Sequence, residues 1–189
     1  MRKRPQPNFD MAKSFLDIFD PDCGCWTFQT FDDNADRARE NKTNYGIDPL
    51  AKVLHGTLTE NWEQLVDLNQ RGAGVFFTVQ LTDCRGRKSS NIIAIRALFQ
   101  EDDGEGNPLP FEPHFVVESS PGKYHRYIMV KDLPLGMFKP LQEVLVNEYG
   151  SDPNAKDIAR VLRLPGFNHQ KVNSKKGLVG NPHLVRVVK

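Results

Sequence analysis

Cysteine is scarce in this chain, with Cys23, Cys25 and Cys84 the only three in 189 residues. Three are too few for a disulfide framework, and the expected setting is a reducing cytoplasm. Cys23-Gly-Cys25 has no second CxxC and no HxxxH to complete four ligands, which excludes a structural zinc. No apolar run approaches the roughly 18–20 residues of a membrane span. The opening Met1-Arg-Lys-Arg-Pro is basic with no apolar stretch behind it, so no signal peptide is expected. Repeats and low-complexity tracts are absent too. Charge of one sign is lacking overall, the net being +1, but its distribution is uneven. Acids crowd the first half, whereas Lys and Arg dominate from Asp157 onward.

What is present fits one globular domain: 39% hydrophobic and 26% charged residues, in a chain long enough for a sizeable core and short for two. Residues 1–9 read as a disordered basic lead, and 10–189 as a single domain. Asp10 is placed to cap a short helix carrying Ala12, Phe15, Leu16 and Phe19 on one face. Cys25–Phe31 alternates as a strand and is followed by a polar stretch with Arg37 and Arg39. Thr57 and Glu60 form a capping box for a helix over Leu58–Arg71. Gly72 and Gly74 then turn the chain into a strand, Val75–Leu81. A basic loop from Asp83 to Ser90 carries Arg85, Arg87 and Lys88. His114–Ser119 and Tyr124–Val130 read as an antiparallel hairpin. Phe138, Leu141, Val144, Leu145 and Tyr149 stripe a helix that Gly150 ends. Ala155–Leu164 is expected as a short helix in which Asp157 and Arg160 pair at i, i+3. A terminal strand spans Leu184–Val188.

The organising stretch is Ile92–Gly104, an apolar run ending in Glu101-Asp102-Asp103-Gly104. If Ile92–Glu101 is one strand, alternation puts Glu101 and Asp103 on the face of Ile95, Ala97 and Phe99, about 7 Å apart. Carboxylates that close repel unless they share metal or a proton, or lie in water. From these residues alone the stretch reads either as a hard-cation site or as a polar turn ahead of Gly104, Gly106 and Pro108. Lys123 and His125 share a parity on their strand, as a cradle for triphosphate would require.

The ordered set of pieces from His55 to Lys189 resembles the RepB-type replicative primases of plasmids and phages, within the archaeo-eukaryotic primase-polymerase superfamily. The pieces are Asn69-Gln-Arg-Gly72, Asn91-Ile, Arg96-Ala-Leu-Phe-Gln-Glu-Asp-Asp-Gly104, Glu118-Ser-Ser-Pro-Gly-Lys-Tyr-His125, Asp157-Ile-Ala-Arg-Val-Leu-Arg-Leu-Pro-Gly166 and Phe167-Asn-His-Gln-Lys171. The resemblance implies an α/β (α+β) primase-polymerase core. In it an RRM-like antiparallel palm sheet, about 91–189, packs against an N-terminal αβ module of about 10–90.

It further implies two divalent cations, Mg²⁺ or Mn²⁺, on Glu101, Asp103 and Asp157, with His125 on the phosphates of an incoming nucleotide. Glu101 stands where the family usually has Asp. Asp102 would substitute only if the register slipped by one. Lys123, Arg163 and Lys171 are further candidates for the triphosphate. Arg85, Arg87, Lys88, Lys175 and Lys176 are candidates for a single-stranded DNA template. Arg96 faces away from the carboxylates, as a structural pair or a template contact, and His169 is an optional member. The implied activity is primer synthesis from nucleoside triphosphates during replication of a plasmid, phage or integrated element. A replicative helicase or an accessory helical domain would be a further partner. The alternatives are a binding module of the same fold without catalysis, and a rolling-circle initiator nuclease. The latter needs a His-x-His pair that none of the five histidines forms.

Overall fold

In the computed structural model, which describes residues 5–104, 106–170 and 182–189, the chain opens with helix α1 (Phe9–Phe19). Its cap is Asn8, whose side chain accepts from the Met11 N–H, so Asp10 lies inside the first turn instead of capping it. Pro5 and Asn8, expected in a disordered lead, are docked: the Pro5 carbonyl accepts from Asn168 Nδ2 and the Asn8 N–H donates to the Gly166 carbonyl. Strand β1 (Trp26–Asp32) follows, then α2 (Ala35–Tyr45), β2 (Lys52–Gly56), α3 (Leu58–Gln70), β3 (Ala73–Thr78) and β4 (Leu81–Thr82). The capping box at Thr57 and Glu60 is formed.

Helix α2 lies where a polar stretch was expected, and strand β2 lies where no element was expected. Helix α2 buries no residue, and it is held by its ends: Asn34 accepts from the Asp36 and Arg37 N–H groups, and Gly46 closes it at φ 72°. Arg37 also clamps Asp32 through both Nε and Nη2, at 2.6 and 2.9 Å.

The expected strand Ile92–Glu101 is two strands, β5 (Ile92–Ala94) and β6 (Ala97–Asp102). The break is at Ile95-Arg96. There the Gln80 side chain takes over the ladder, accepting from the Arg96 N–H and donating to the Ala97 carbonyl. Arg96 itself is buried and structural. Its guanidinium donates to the carbonyls of Val79, Thr78 and Gln80 and to Asp20, and lies 4.3 Å over the Trp26 ring, which removes it from any template surface.

Next come β7 (Phe115–Ser120) and β8 (Lys123–Met129), the expected antiparallel hairpin, and α4 (Phe138–Tyr149). The helix expected over 155–164 does not form. One 3-10 turn, Pro153–Lys156, is followed by strand β9 (Val161–Arg163). Asp157 turns its carboxylate onto the Ala159 N–H, a local bond that competes with helix, and β9 is claimed by β3. Short strands β10 (Asn168–His169), β11 (His183–Leu184) and β12 (Arg186–Val187) end the fold.

Two antiparallel four-stranded sheets result, β2-β1-β3-β9 and β12-β7-β8-β6, the second being the expected palm-like sheet. Because β9 enters the first sheet from the second half of the sequence, the N-terminal module is completed by residues 161–163. Phe15 and Phe19 of α1 pack edge-on against Phe77 of β3, and Phe19 also against Tyr127 of β8, joining the sheets through one aromatic core. Strand β6 is the sheet edge, and α4 covers it. Gln142 bonds both backbone groups of Phe99, while Ser151 and Asp152 take the N–H and carbonyl of Glu101. A side chain and a helix end replace the missing neighbour strand, so β6 is held rigidly up to its acidic end.

Cys25 and Cys84 are bonded as a disulfide, and Cys23 is free. This differs from the expectation of a fully reduced protein. The two meet because β1 and β4 run side by side there, with the Thr27 and Thr82 hydroxyls 2.6 Å apart, a closeness that spacing cannot reveal. Among the described residues no helix is long and apolar enough to cross a membrane.

Candidate functional site

Glu101 is the last inward-facing residue of β6, and its cross-strand partner on β8 is His125. Both are buried or nearly so. Arg160 grips Glu101 with two bonds, Nε to Oε1 at 2.6 Å and Nη2 to Oε2 at 2.9 Å. Asp152 stands 3.5 Å from the same guanidinium. Burial pushes the Glu101 carboxyl up, Arg160 pulls it back, and Asp152 and Asp103 push it up again, for a net rise. For Arg160 burial works against the charge, but Glu101, Asp152 and Asp157 outweigh it and raise its pKa.

His125 is driven the other way, down to about 3, first by burial and then by Arg163, Arg160 and His169. Its Nδ1 has no hydrogen-bond partner among the described residues. Tyr127 lies edge-on to it, and burial with the field of Glu101 keeps the phenol protonated. The result is a neutral imidazole beside a carboxylate, walled by two guanidinium groups.

The depressed His125 value sets a pH dependence. A group whose folded pKa is lowered contributes stability that is complete above its ordinary value near 6.5 and is lost as pH falls toward about 3. Between pH 7 and 5 the metal-free protein is therefore expected to lose about 2 kcal/mol from this group. Glu101, being raised, acts in the opposite sense, so the clean comparison is urea unfolding of wild type against His125→Gln. A variant with the same pH slope as wild type would contradict the neutral buried imidazole.

Of the other expected residues, Asp103 lies one position past β6, exposed, and is held by Lys123 Nζ at 2.9 Å. Asp102 points to the other face. Its burial would raise its pKa, but Arg126 and the Gly106 and Gly104 N–H groups hold it below the usual range, so it shapes the turn. Asp157 is exposed and near enough to act on Arg160. Arg163 is buried in a two-bond pair with Asp33 and stacks on Phe76 at 4.7 Å. His169 bonds the Ser119 carbonyl through Nδ1. Arg87 donates to the Ala159 carbonyl, while Arg85 and Lys88 are exposed. Lys171, Lys175 and Lys176 lie outside the described residues.

Arg160 was read from the sequence as the partner of Asp157. The residue it grips is Glu101, 59 positions away, a pairing with no local signal. Asp152 and Asp33 were likewise unassigned. The oxygen donors here are of the class that suits a hard cation, and they already converge on a positive charge, the Arg160 guanidinium. Among the described residues, however, no three acids, histidines or cysteines come together as a metal-holding group. Lys123 engages Asp103, Arg160 engages Glu101, and Asp157 is turned to its own backbone.

Comparison with known proteins places the fold and the family. A "Replication protein" of Clostridium perfringens is 26% identical over 179 aligned residues, covering 75% of this chain, which spans 42% of that relative's length. The AEP domain of the cyanophage S-2L primase-polymerase superimposes with a TM-score of 0.71 at 19% identity, over 98% of this chain and 91% of that one. Primase RepB′ gives 0.64 at 18% identity, over 95% and 55%. The catalytic domain of RepB′, solved in complex with initiator DNA, gives 0.57 at 19%, over 94% and 82%. These show the primase-polymerase fold. The sequence profile of the RepB DNA-primase N-terminal domain matches residues 95–189, just over half of the sequence, and the chain belongs to that family.

Proposed function

We propose that this chain is a nucleotidyl-transfer domain that makes primers on single-stranded DNA from nucleoside triphosphates. The observation that carries the reading is the pairing of Glu101 with His125 across β6 and β8, at the point where Asp152, Asp157, Arg160 and Arg163 converge. The RepB-family match supports it, and a relative's complex with initiator DNA supports DNA as the partner.

Glu101, Asp103 and Asp157 are the residues to hold divalent cations, Mg²⁺ or Mn²⁺. Such ions, when bound, activate a 3′-hydroxyl and stabilise departing pyrophosphate. Lys123 and Arg160, now paired to two of those acids, are the cations that can turn toward a triphosphate. Neutral His125 offers an N–H to phosphate oxygen without adding charge to a buried site. Arg163 and Lys171 are further triphosphate candidates. Arg85, Arg87, Lys88, Lys175 and Lys176 are proposed for the template, in a salt-sensitive contact.

The test is incorporation of labelled nucleotide on an unprimed single-stranded template with Mg²⁺ or Mn²⁺, wild type against Asp103→Ala. Short products from wild type alone are expected. Extension only of a primed template would reduce the reading to a polymerase domain. A second reading, a binding module without catalysis, is favoured by the ion pairs that engage Glu101 and Asp103. Inactivity on both templates together with retained DNA binding would establish it.

A further inference from the structure

Near the end of β1 one large aromatic faces outward: Phe31 keeps 37% of its surface exposed, whereas Phe28 on the core side keeps none. An exposed phenylalanine by itself is unremarkable in a protein surface, but the company of this one is specific. Phe76 of β3 buttresses it edge to face, with ring centroids 5.5 Å apart. The Arg87 guanidinium carbon lies 6.0 Å from the Phe31 ring centre, and that of Arg163 lies 4.7 Å from the Phe76 ring centre. Arg163 also acts on His125. The two rings thus stand between the basic loop and the candidate site.

A groove of about 540 Å³ opens beside Phe31, with Arg39 and Lys42 of α2 on its wall. Its two acids are already engaged. Asp32 is clamped by Arg37, and Asp48 accepts from the Asp32 and Leu50 N–H groups. The Arg39 guanidinium is paired with the exposed Asp36, at 3.4 Å, and Lys42 is exposed. A π-face with guanidinium and ammonium groups around it, and with both groove acids already hydrogen-bonded, matches a nucleobase with its flanking phosphates.

We propose that Phe31 is a stacking step for a base of single-stranded DNA, with Phe76 as its buttress and Arg87, Arg39 and Lys42 on the neighbouring phosphates. The proposal rests on the primase reading for its partner, and it puts a base of the template beside the candidate site. Because every base has a π-face, a stack of this kind holds a strand without selecting its sequence.

The experiment is fluorescence anisotropy of a labelled oligo-dT with the full chain, without metal or nucleotide, over a salt series. Phe31→Ala is expected to bind about tenfold more weakly with an unchanged salt slope. Phe31→Leu, which keeps apolar volume without a ring, should lose as much, and Phe31→Trp should bind at least as well as wild type. Arg87→Ala should lower the salt slope by about one. Wild type should bind an abasic oligonucleotide of equal charge about as weakly as Phe31→Ala binds oligo-dT. Melting midpoints of the variants establish folding.

Binding by folded Phe31→Ala and Phe31→Leu within twofold of wild type would overturn the proposal, as would equal wild-type affinity for abasic and normal strands. The unprimed incorporation assay separates the two readings. Primer synthesis with ring-independent binding removes the stacking step and leaves the primase. Ring-dependent binding with no synthesis on any template does the reverse.

Discussion

Arg96→Ala is expected to lower the free energy of unfolding by about 4 kcal/mol. The guanidinium is buried and donates to three backbone carbonyls, those of Val79, Thr78 and Gln80, and to Asp20. Truncation leaves those acceptors buried without a donor, at about 1–3 kcal/mol each before relaxation. It also strips the cation from the faces of Trp26 and Phe19. Stability of a domain this size is about 5–15 kcal/mol, so the variant should remain folded at 25 °C with a midpoint lower by roughly 10 °C. Urea unfolding measures it, and a loss under 1 kcal/mol would show that these bonds are dispensable. Arg96→Lys should recover little, because an ammonium group cannot reproduce the fork that reaches three carbonyls at once.

Glu101→Gln is expected to cut nucleotide incorporation by about 10²–10³-fold while leaving a folded protein that still binds single-stranded DNA. The amide keeps the shape of the carboxylate and can still accept one bond from Arg160, so β6 and its cover by Ser151 and Asp152 stay in place. What disappears is the charge. Glu101→Asp is the informative companion, since the resemblance puts Asp at this position, and it should retain activity well above the amide. Wild-type incorporation by Glu101→Gln, with folding confirmed by circular dichroism, would remove Glu101 from the site.

Where a segment's fate was decided by its own residues, the sequence was readable. Helices α1, α3 and α4 carry apolar stripes at helical spacing, with caps or stops beside them, and all three form. The β7–β8 hairpin likewise follows from a short connection between two apolar strands. The failures have two causes, partners distant in sequence and segments that bury little. Residues 155–164 have helical spacing and a tempting Asp157–Arg160 pair, yet β3 draws Val161–Arg163 into a sheet. Helix α2 has no apolar stripe to read, because it buries nothing. Strand β2 lacks alternation because it lies at a sheet edge with both faces partly open. For the site, spacing singled out Glu101, Asp103 and His125. That Arg160 would grip Glu101, and that Asp33 would hold Arg163, depends on closures of 59 and 130 residues.

The entry of β9 into the N-terminal sheet bears on how the protein is made. As the ribosome releases the first 90 residues, β3 has an open edge, Asn69 lacks its partner at Asn168, and Asp33 lacks Arg163. Those groups must wait for roughly two-fifths of the sequence again before they are satisfied. Synthesis at about 5–20 residues per second makes that a wait of several seconds. During that interval the exposed strand edge is open to wrong pairing. Chaperone occupancy of the nascent chain should therefore persist until residues 161–168 emerge and fall abruptly thereafter.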